Sequence, residues 1–128
     1  PGSTGRSERA VWQFMDSRDR RVLQKLQAHT EAILRYCQDC HSLVEFESDT
    51  MRVEATVFNL MQIGELAKAS LSDVAKAAIP GIPWKQIYGL RNRIVHGYDG
   101  VDMCIVWDTV SEDIPRLQAE LAAVNRQE

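Results

Sequence analysis

The eight residues from Arg91 to Tyr98 combine side chains that could bind an anion and move a proton. The segment reads RNRIVHGY, so two arginines, an asparagine, a histidine and a tyrosine lie together with no carboxylate among them. Arginine offers a fixed fork of N–H donors for phosphate oxygens, and histidine can accept or donate a proton near neutral pH. The segment is therefore either the polar edge of an ordinary helix or a site that holds a phosphate.

The charge distribution favours an anion site in this part of the chain. The protein has 128 residues and a formal net charge of -3, so a generally basic surface for nucleic acid is not expected. Between Asp73 and Asp99, however, there is no acidic residue. The basic side chains of that interval are Lys76, Lys85, Arg91, Arg93 and His96. Any anion site is expected to be local, within this interval.

Helical geometry decides how these side chains can converge. At about 100 degrees per residue, Asn92 and His96 lie about 40 degrees apart on one face of a helix, whereas Arg91 and His96 lie about 140 degrees apart. Within one chain, Arg91 would share a ligand with His96 only through its long side chain or an unwound helix end. A second copy of the same helix, related by two-fold symmetry, would solve this problem. The spacing therefore predicts a homodimer with a composite cleft.

Arginine and histidine together are sufficient for RNA cleavage without a metal ion. The guanidinium can stabilise the added negative charge of a pentavalent phosphorus, and the imidazole can take a proton from a ribose 2'-hydroxyl. The expected product is a 2',3'-cyclic phosphate. The sequence has no carboxylate cluster suited to Mg²⁺ and no glycine-rich phosphate loop, so no metal and no cofactor are predicted. The spacing alone leaves open that these side chains only cap the helix or complement its dipole.

Three cysteines raise the question of a haem or zinc site. Residues 37–41 read CQDCH, which has the C-x-x-C-H spacing of covalent haem attachment, and a zinc site would need Cys104 or a distant histidine as fourth ligand. The motif lies within a helical pattern, however, and an odd number of cysteines without an export signal indicates free thiols. We expect half-buried helix cysteines.

The first 14 residues, PGSTGRSERAVWQF, differ in composition from the rest and precede a methionine, Met15, that could start the native chain. We expect residues 1–14 to be a non-native extension and residues 15–128 to form a single domain. No apolar run approaches the roughly 18 residues that a membrane span needs, and no signal-peptide core is found. These features predict a soluble, cytoplasmic protein without a membrane partner.

Apolar residues recur at helical spacing in four long segments, with no strand alternation. The predicted helices run from Ser17 to about His41, from a cap at Ser48 or Asp49 to Leu71, from Pro83 to near Gly97, and onward from about Asp102. Pro115 should kink or split the last helix, because proline removes a hydrogen bond and clashes with the preceding turn. Gly64 costs stability inside a helix, and the close approach of another helix would compensate for it. The prediction is an all-α, up-and-down bundle of four main helices.

The motif and its surroundings resemble the HepT-like ribonuclease toxins of the HEPN superfamily. RNRIVHGY is similar to that family's R-x-x-x-x-H-x-Y motif, and NLMQIGELAKA to its IGEA helix. PGIPWKQIYGL is similar to the segment that leads into the motif, and VDMCIVWDTVSEDIPRL to the final helix with its internal proline. The resemblance covers about residues 15–124. It implies a HEPN-like helical fold and a motif that lines a cleft at a homodimer interface.

The resemblance also implies a role for each polar residue of the motif. Arg91 and His96 would be the catalytic pair of a ribonuclease, and Asn92 and Arg93 would position the RNA substrate or, for Asn92, the histidine. The family's usual partner is a minimal nucleotidyltransferase, an antitoxin that attaches AMP to the motif tyrosine, here Tyr98. A bulky anionic group two residues past the histidine should obstruct and repel RNA. The resemblance thus implies the toxin of a toxin–antitoxin system similar to type VII.

Two other interpretations remain open from the sequence. The chain could be a non-catalytic helical module that docks a nucleotidyltransferase and uses the motif only to recognise nucleotide or RNA. It could also be a purely structural dimerisation domain. The ribonuclease interpretation alone requires that His96→Ala abolish RNA cleavage while the fold and the dimer persist.

Overall fold

The computed structural model describes residues 12–13, 15–97 and 102–126, and within these ranges it contains helices and turns but no strand. The elements are α1 (Ser17–Cys37), α2 (Leu43–Glu47), α3 (Thr50–Glu65), a π-helical segment π1 (Leu66–Ser70), α4 (Asp73–Ala78), α5 (Trp84–His96), α6 (Met103–Asp108), a second π-helical segment π2 (Thr109–Asp113) and α7 (Ile114–Asn125). The prediction of an all-α bundle is confirmed.

The core lies between four long elements. Helix α1 packs against α3 on one side and α7 on the other, and α5 packs against α3. Each helix turns an apolar stripe inward, and burial of these stripes supplies the main driving force for folding. Fully or nearly fully buried side chains of this core include Leu23, Leu26, Ile33, Leu60, Ile63, Ile94, Leu117 and Leu121. Helix α5, which carries the polar motif, is thus held on the outer face of α3.

The starts of three predicted helices are confirmed by their caps. Asp16, Asp49 and Asp102 each accept a hydrogen bond from a backbone N–H in the first turn of α1, α3 and α6 respectively. The predicted end of the first helix was wrong, because α1 stops at Cys37 rather than near His41. Ser42 caps a separate short helix, α2, which the sequence pattern did not predict. Five residues are too few to show a helical period.

Tertiary packing explains why α2 nevertheless forms. Phe46 of α2 is completely buried, and its ring lies 5.5 Å from that of Trp107 on α6. Arg52 of α3 donates to the Glu45 carbonyl at 3.0 Å and to the Tyr36 carbonyl at 3.0 Å. These contacts hold the connection between α1 and α3 against neighbouring elements. Tertiary packing therefore stabilises α2, although the local sequence shows no helical period.

The second predicted helix was expected to continue to Leu71. In the structure its α-helical part ends at Glu65, and the chain continues to Ser70 as the wider turn π1. The backbone N–H of Leu71 donates to the Leu66 carbonyl, five residues earlier, at 3.1 Å. A further short helix, α4, follows and stops ahead of Pro80, since the residue before a proline disfavours helical geometry.

The last predicted helix is interrupted where Pro115 required it. Helix α6, π2 and α7 follow one another without a loop, and Pro115 is the second residue of α7. In π2 the N–H of Ile114 bonds to the Thr109 carbonyl, five residues earlier. The wider turn gives the proline ring room that a regular α-helix lacks. The predicted break at Pro115 is therefore confirmed, and the structure shows that a π-turn accommodates it.

Part of the N-terminal segment packs on the bundle. Trp12 and Met15 are buried members of the core. Arg20 donates to the Trp12 carbonyl at 3.0 Å, and its guanidinium lies 5.3 Å from the centre of the indole ring. Residues 1–11 and Phe14 lie outside the described residues, so a non-native origin for residues 1–14 stays a prediction. No helix in the described ranges is both long and apolar enough to cross a membrane.

Candidate active site

Helix α5 carries the polar motif as far as His96. It begins at Trp84, directly after Pro83, and ends at His96, as the proline and Gly97 predicted. Gly97 has φ of -175°, so it ends the helix in extended backbone without the left-handed conformation that glycine often adopts there. Tyr98 lies outside the described residues, and its expected modification is therefore not placed by the structure.

Two side chains fix the first half of α5 against the preceding elements. The indole Nε1 of Trp84 donates to the Lys76 carbonyl at 3.1 Å, and the Tyr88 hydroxyl donates to the Ala67 carbonyl at 3.4 Å. The ammonium group of Lys76 lies 5.1 Å from the centre of the Tyr88 ring. These contacts attach α5 to α4 and π1, so the helix that carries the motif is anchored before the motif begins.

Gly64 is the point at which α3 meets the motif. A Cβ atom added at Gly64 would overlap the Cβ of Arg91 and would lie 2.7 Å from its Cγ. The same Cβ would lie 3.4 Å from the Ile87 carbonyl. Only glycine leaves room for the stem of Arg91 at this place, which confirms the close helix approach predicted from Gly64.

The guanidinium of Arg91 is held by two acceptors. Its Nη2 donates to Oε2 of Glu65 at 2.5 Å, and its Nη1 donates to Oδ1 of Asn92 at 3.0 Å. The Arg91 side chain is 19 % exposed, while that of Glu65 is 48 % exposed. The Nε of Arg91 is buried and has no hydrogen-bond partner among the described residues. Since a guanidinium has five N–H donors, this arginine retains donors for an anion.

His96 is exposed at the end of α5. The helix is regular up to this residue, so Asn92 and His96 lie one turn apart on one face, as the spacing predicted. The structure thus joins Arg91 to Asn92 through a hydrogen bond and sets His96 one turn further along. A histidine in the last turn is also favoured by the negative end of the helix dipole, so exposure alone does not make it a catalytic group.

Arg93 lies on another side of α5. It lines a groove of about 520 Å³ between α5 and the rod formed by α6, π2 and α7. The floor of this groove includes Leu60 and Ile63, while Lys85 and Asp113 belong to its lining as well. Arg93 is therefore placed to bind substrate from this groove, whereas the hydrogen bond of Asn92 is to Arg91.

An exposed apolar face extends from α3 to the residue before His96. Phe58 and Val95 are 53 % and 45 % exposed. With Val57, Met61 and Ile94, and with Glu54 at the edge, they line a shallow depression of about 460 Å³. We call the surface formed by Phe58, Met61 and Val95 the apolar face. Contiguous exposed apolar side chains of this kind are typical of an interaction surface.

Glu65 is the site residue whose partner the sequence did not reveal. Its position beside Gly64 was compatible with either a solvated or a salt-bridged side chain, and the structure shows the salt bridge with Arg91. The signal in the sequence was indirect, since Gly64 indicated a close approach to another helix. Nothing in the spacing identified Arg91 as the residue on the other side.

The cysteines are free thiols in three different environments. Cys37 is buried, Cys40 is partly buried just after α1, and Cys104 is exposed on α6. Burial is the main reason that the pKa of the Cys37 thiol is raised, and a hydrogen bond with Asp102 is the main reason that the pKa of Cys104 is raised. Across residues 12–13, 15–97 and 102–126, no group of three or more histidine, cysteine or acidic side chains could hold a metal ion.

Known proteins share this sequence pattern. A family model described as "Ribonuclease HepT-like" matches residues 26–124. The chain is 35 % identical over 80 residues to "Putative RNase MJ1380" of Methanocaldococcus jannaschii, a match that covers 62 % of this chain and 72 % of the relative. It is 34 % identical over 82 residues to "Probable ribonuclease HepT" of Thermococcus cleftensis, covering 64 % and 74 % respectively. No solved structure matches.

The family match spans the elements that build the site. It runs from the middle of α1 to the last turn of α7, and it includes Gly64 and Glu65 on α3 together with Arg91 and His96 on α5. The model of one family therefore matches more than half of the chain. The chain belongs to the HepT-like ribonuclease family of the HEPN superfamily.

Proposed function

We propose that this protein is a metal-independent endoribonuclease, the toxin of a toxin–antitoxin pair, in which Arg91 and His96 are catalytic. One observation carries the proposal above all others. The guanidinium of Arg91 on α5 is held by Glu65 of α3 and by Asn92 of α5, and His96 is exposed further along α5. An anion-binding group and a proton-transfer group thus lie on one rigid element. Phosphodiester cleavage needs both groups at one phosphate, and a second copy of the chain would bring them together. The ribonuclease names of the relatives support the same activity.

Arg91 would bind the scissile phosphate. Its remaining N–H donors can contact the non-bridging oxygens, and the contact strengthens as negative charge grows on the pentavalent phosphorus. The side chain is largely buried, so water competes less with the phosphate than it would at an open surface. A fixed guanidinium also needs little rearrangement when the transition state forms.

His96 would transfer the proton. As a neutral imidazole it takes the proton of the ribose 2'-hydroxyl, and the 2'-oxygen then attacks the adjacent phosphorus. The bond from phosphorus to the 5'-oxygen breaks, and that oxygen receives a proton from a protonated imidazole. The products are a 2',3'-cyclic phosphate and a 5'-hydroxyl end. The exposure of His96 at the helix end allows the ribose to reach it.

A homodimer would complete the cleft. Arg91 and His96 of one chain point about 140 degrees apart on α5. The apolar face reaches Val95, the neighbour of His96, and a second copy that covered this surface would bring a second His96 close to the first. One imidazole could then act as the base and the other as the acid. The exposed apolar area and the angular separation of the two residues both support this arrangement.

The other motif residues have supporting roles in this proposal. Asn92 helps to position the substrate, because its hydrogen bond holds the Arg91 guanidinium that binds the phosphate. Arg93, with Lys85 on the same groove, would bind phosphates that flank the scissile bond. Tyr98 follows His96 by two residues, so an AMP group attached to it by a nucleotidyltransferase antitoxin would place bulk and negative charge near the cleft. The resemblance of the motif supports this last step.

Induced expression in bacterial cells tests the proposed toxin. Wild type should arrest growth and produce new RNA ends that carry cyclic phosphate, whereas His96→Ala should do neither at an equal level of folded, dimeric protein. Co-expression of a cognate nucleotidyltransferase should restore growth and add the mass of AMP to Tyr98. Equal growth of wild type and His96→Ala would contradict the proposal and favour a non-catalytic docking module.

A further inference from the structure

The salt bridge between Glu65 and Arg91 joins the motif to a carboxylate on another helix, 26 residues earlier in the chain. We propose that Glu65 is a positioning residue, which holds the guanidinium of Arg91 in the orientation that binds the scissile phosphate. This inference rests on the ribonuclease function proposed above. Glu65 itself would not contact the substrate and would act through Arg91.

The arginine is constrained at both ends of its side chain. Its Cβ and Cγ occupy the space that Gly64 leaves open, and its Nη2 bonds to Glu65, the next residue of α3. Asn92 holds Nη1 from the same helix. One pair of consecutive residues, Gly64 and Glu65, therefore fixes both the stem and the tip of Arg91.

Holding the tip matters because arginine is a long and flexible side chain. A free guanidinium samples many rotamers, and if it is ordered only as the transition state forms, the lost entropy raises the activation barrier and lowers the rate of the reaction. With Glu65 in place, that ordering is already achieved in the folded protein. The largely buried position of Arg91 adds to the need for an acceptor, since a buried guanidinium without partners is unstable.

A carboxylate beside Arg91 could instead compete with the phosphate for the guanidinium, and the geometry argues against this role. Glu65 contacts the guanidinium through one oxygen and one nitrogen, and it leaves the other donors of Arg91 available. Its own side chain is about half exposed, so water screens much of its charge. The essential property in this account is a fixed acceptor, which glutamine would also supply.

The backbone around Glu65 is shaped to keep this contact in place. Glu65 is the last residue of α3, and π1 begins at Leu66. Within π1, the Ala67 carbonyl accepts the hydroxyl of Tyr88, which lies three residues before Arg91 on α5. Contacts at Gly64, Glu65 and Ala67 thus hold the same two turns of α5. Single π-turns are often found at functional sites.

Side-chain NMR of arginine-labelled protein tests the holding of Arg91 directly. The Nε–H signal of Arg91, assigned by its loss in Arg91→Lys, should show restricted motion in wild type and in Glu65→Gln. In Glu65→Ala the same signal should show fast internal motion. Exposed Glu112 on π2 offers a matched control, and Glu112→Ala should leave the Arg91 signal as in wild type. An Arg91 signal that stays restricted in Glu65→Ala would overturn the inference.

Single-turnover cleavage of an RNA oligonucleotide tests the consequence. At saturating RNA, Glu65→Ala should cleave about tenfold to a hundredfold more slowly, with RNA affinity changed by less than about threefold. Glu65→Gln should retain at least about a third of the wild-type rate. Thermal midpoints are measured for each variant, and rates are compared at a temperature well below the lowest of them.

The outcomes separate this inference from the proposed function. A Glu65→Ala rate equal to wild type, with Arg91→Ala inactive, would overturn the positioning role alone. Faster cleavage or tighter RNA binding by Glu65→Ala would identify a competing carboxylate and also overturn it. Equal losses in Glu65→Ala and Glu65→Gln would contradict the role of a fixed acceptor. A wild type that cleaves no RNA would contradict the proposed function, and the NMR comparison would still decide whether Glu65 holds Arg91.

Discussion

The side chain of Arg91 occupies the space in which any residue other than glycine at position 64 would place its Cβ atom. These two residues are 27 positions apart in the sequence, and the placement of each depends on the other. The glycine allows α3 and α5 to approach, and the arginine stem fills the gap between them. The packing of the bundle and the placement of the motif arginine therefore depend on the same contact.

Gly64→Ala should both destabilise the fold and displace Arg91. The added methyl group would overlap Arg91 Cβ, and the helices would have to move apart at a cost of about 1 to 3 kcal/mol. Urea unfolding measures this cost, and the cleavage rate should fall with it. The matched control is Gly89→Ala in α5, where an added Cβ meets no atom within 4 Å and helix propensity predicts a gain of about 1 kcal/mol. Equal stability of the two variants would contradict the contact.

Phe58→Asp should convert the protein to a monomer without unfolding it. The side chain is exposed in one chain, so a charge costs little there, but it would be buried without a partner in the proposed dimer. Light scattering after size exclusion measures the mass, and cleavage should be lost with the dimer. Val44→Asp on α2 is the control, because Val44 is also apolar and, at 78 %, even more exposed but lies outside the apolar face. A dimer that survives Phe58→Asp would show that another surface is used.

Asp102→Asn should accelerate alkylation of Cys104. The hydrogen bond with Asp102, followed by the negative charge of that carboxylate, raises the pKa of this thiol, so less reactive thiolate is present at pH 8. Removing the charge lowers the pKa and increases the thiolate fraction, and asparagine can still cap α6. Mass spectrometry should show faster labelling at Cys104 than in the wild type. An unchanged rate would mean that Asp102 does not control this thiol.

Cys37 provides the opposite test in the same experiment. Its thiol is buried, and burial raises its pKa, so both access and thiolate content oppose reaction in the folded protein. We expect no label at Cys37 until the protein is unfolded in urea, where it should react as fast as the other cysteines. Rapid labelling of Cys37 under native conditions would show that α1 opens locally near its end.

Trp12→Ala should lower the free energy of unfolding by about 3 kcal/mol, the lower end of the range for a buried tryptophan. Trp12 belongs to the core and stacks with Arg20, although it lies in the segment that was predicted to be a non-native extension. Urea unfolding of Trp12→Ala, compared with a chain that begins at Met15, measures the contribution of this segment. If both variants are as stable as the full chain, the packing of Trp12 contributes nothing.

Local signals in the sequence were sufficient for the main helices. The predicted cap at Ser48 or Asp49 marked the start of α3, Pro83 and Gly97 bounded α5, and Pro115 marked the break in the last helix. These features act within a few residues, so they can be recognised without the fold. The short helices α2 and α4 and the two π-turns were not predicted, because tertiary contacts such as that of Phe46 decide them.

The site was only partly accessible from sequence. The relation between Asn92 and His96 follows from helical geometry and is found in the structure. Arg93 lies about 100 degrees from Asn92 around α5, as helical geometry requires, but its position in the groove beside α7 depends on how the helices pack. The partner of Arg91 could not be derived, since the register between α3 and α5 is set by packing across 26 residues of chain.

Cleavage of RNA by the purified protein in the presence of a chelator tests the central claim most directly. Wild type, Arg91→Ala and His96→Ala are incubated with a single-stranded RNA oligonucleotide in excess EDTA, and the product ends are identified by mass spectrometry. The account predicts 2',3'-cyclic phosphate and 5'-hydroxyl ends for wild type and no cleavage above background for either folded, dimeric variant. Cleavage by His96→Ala at the wild-type rate, or no cleavage by the wild type, would contradict it.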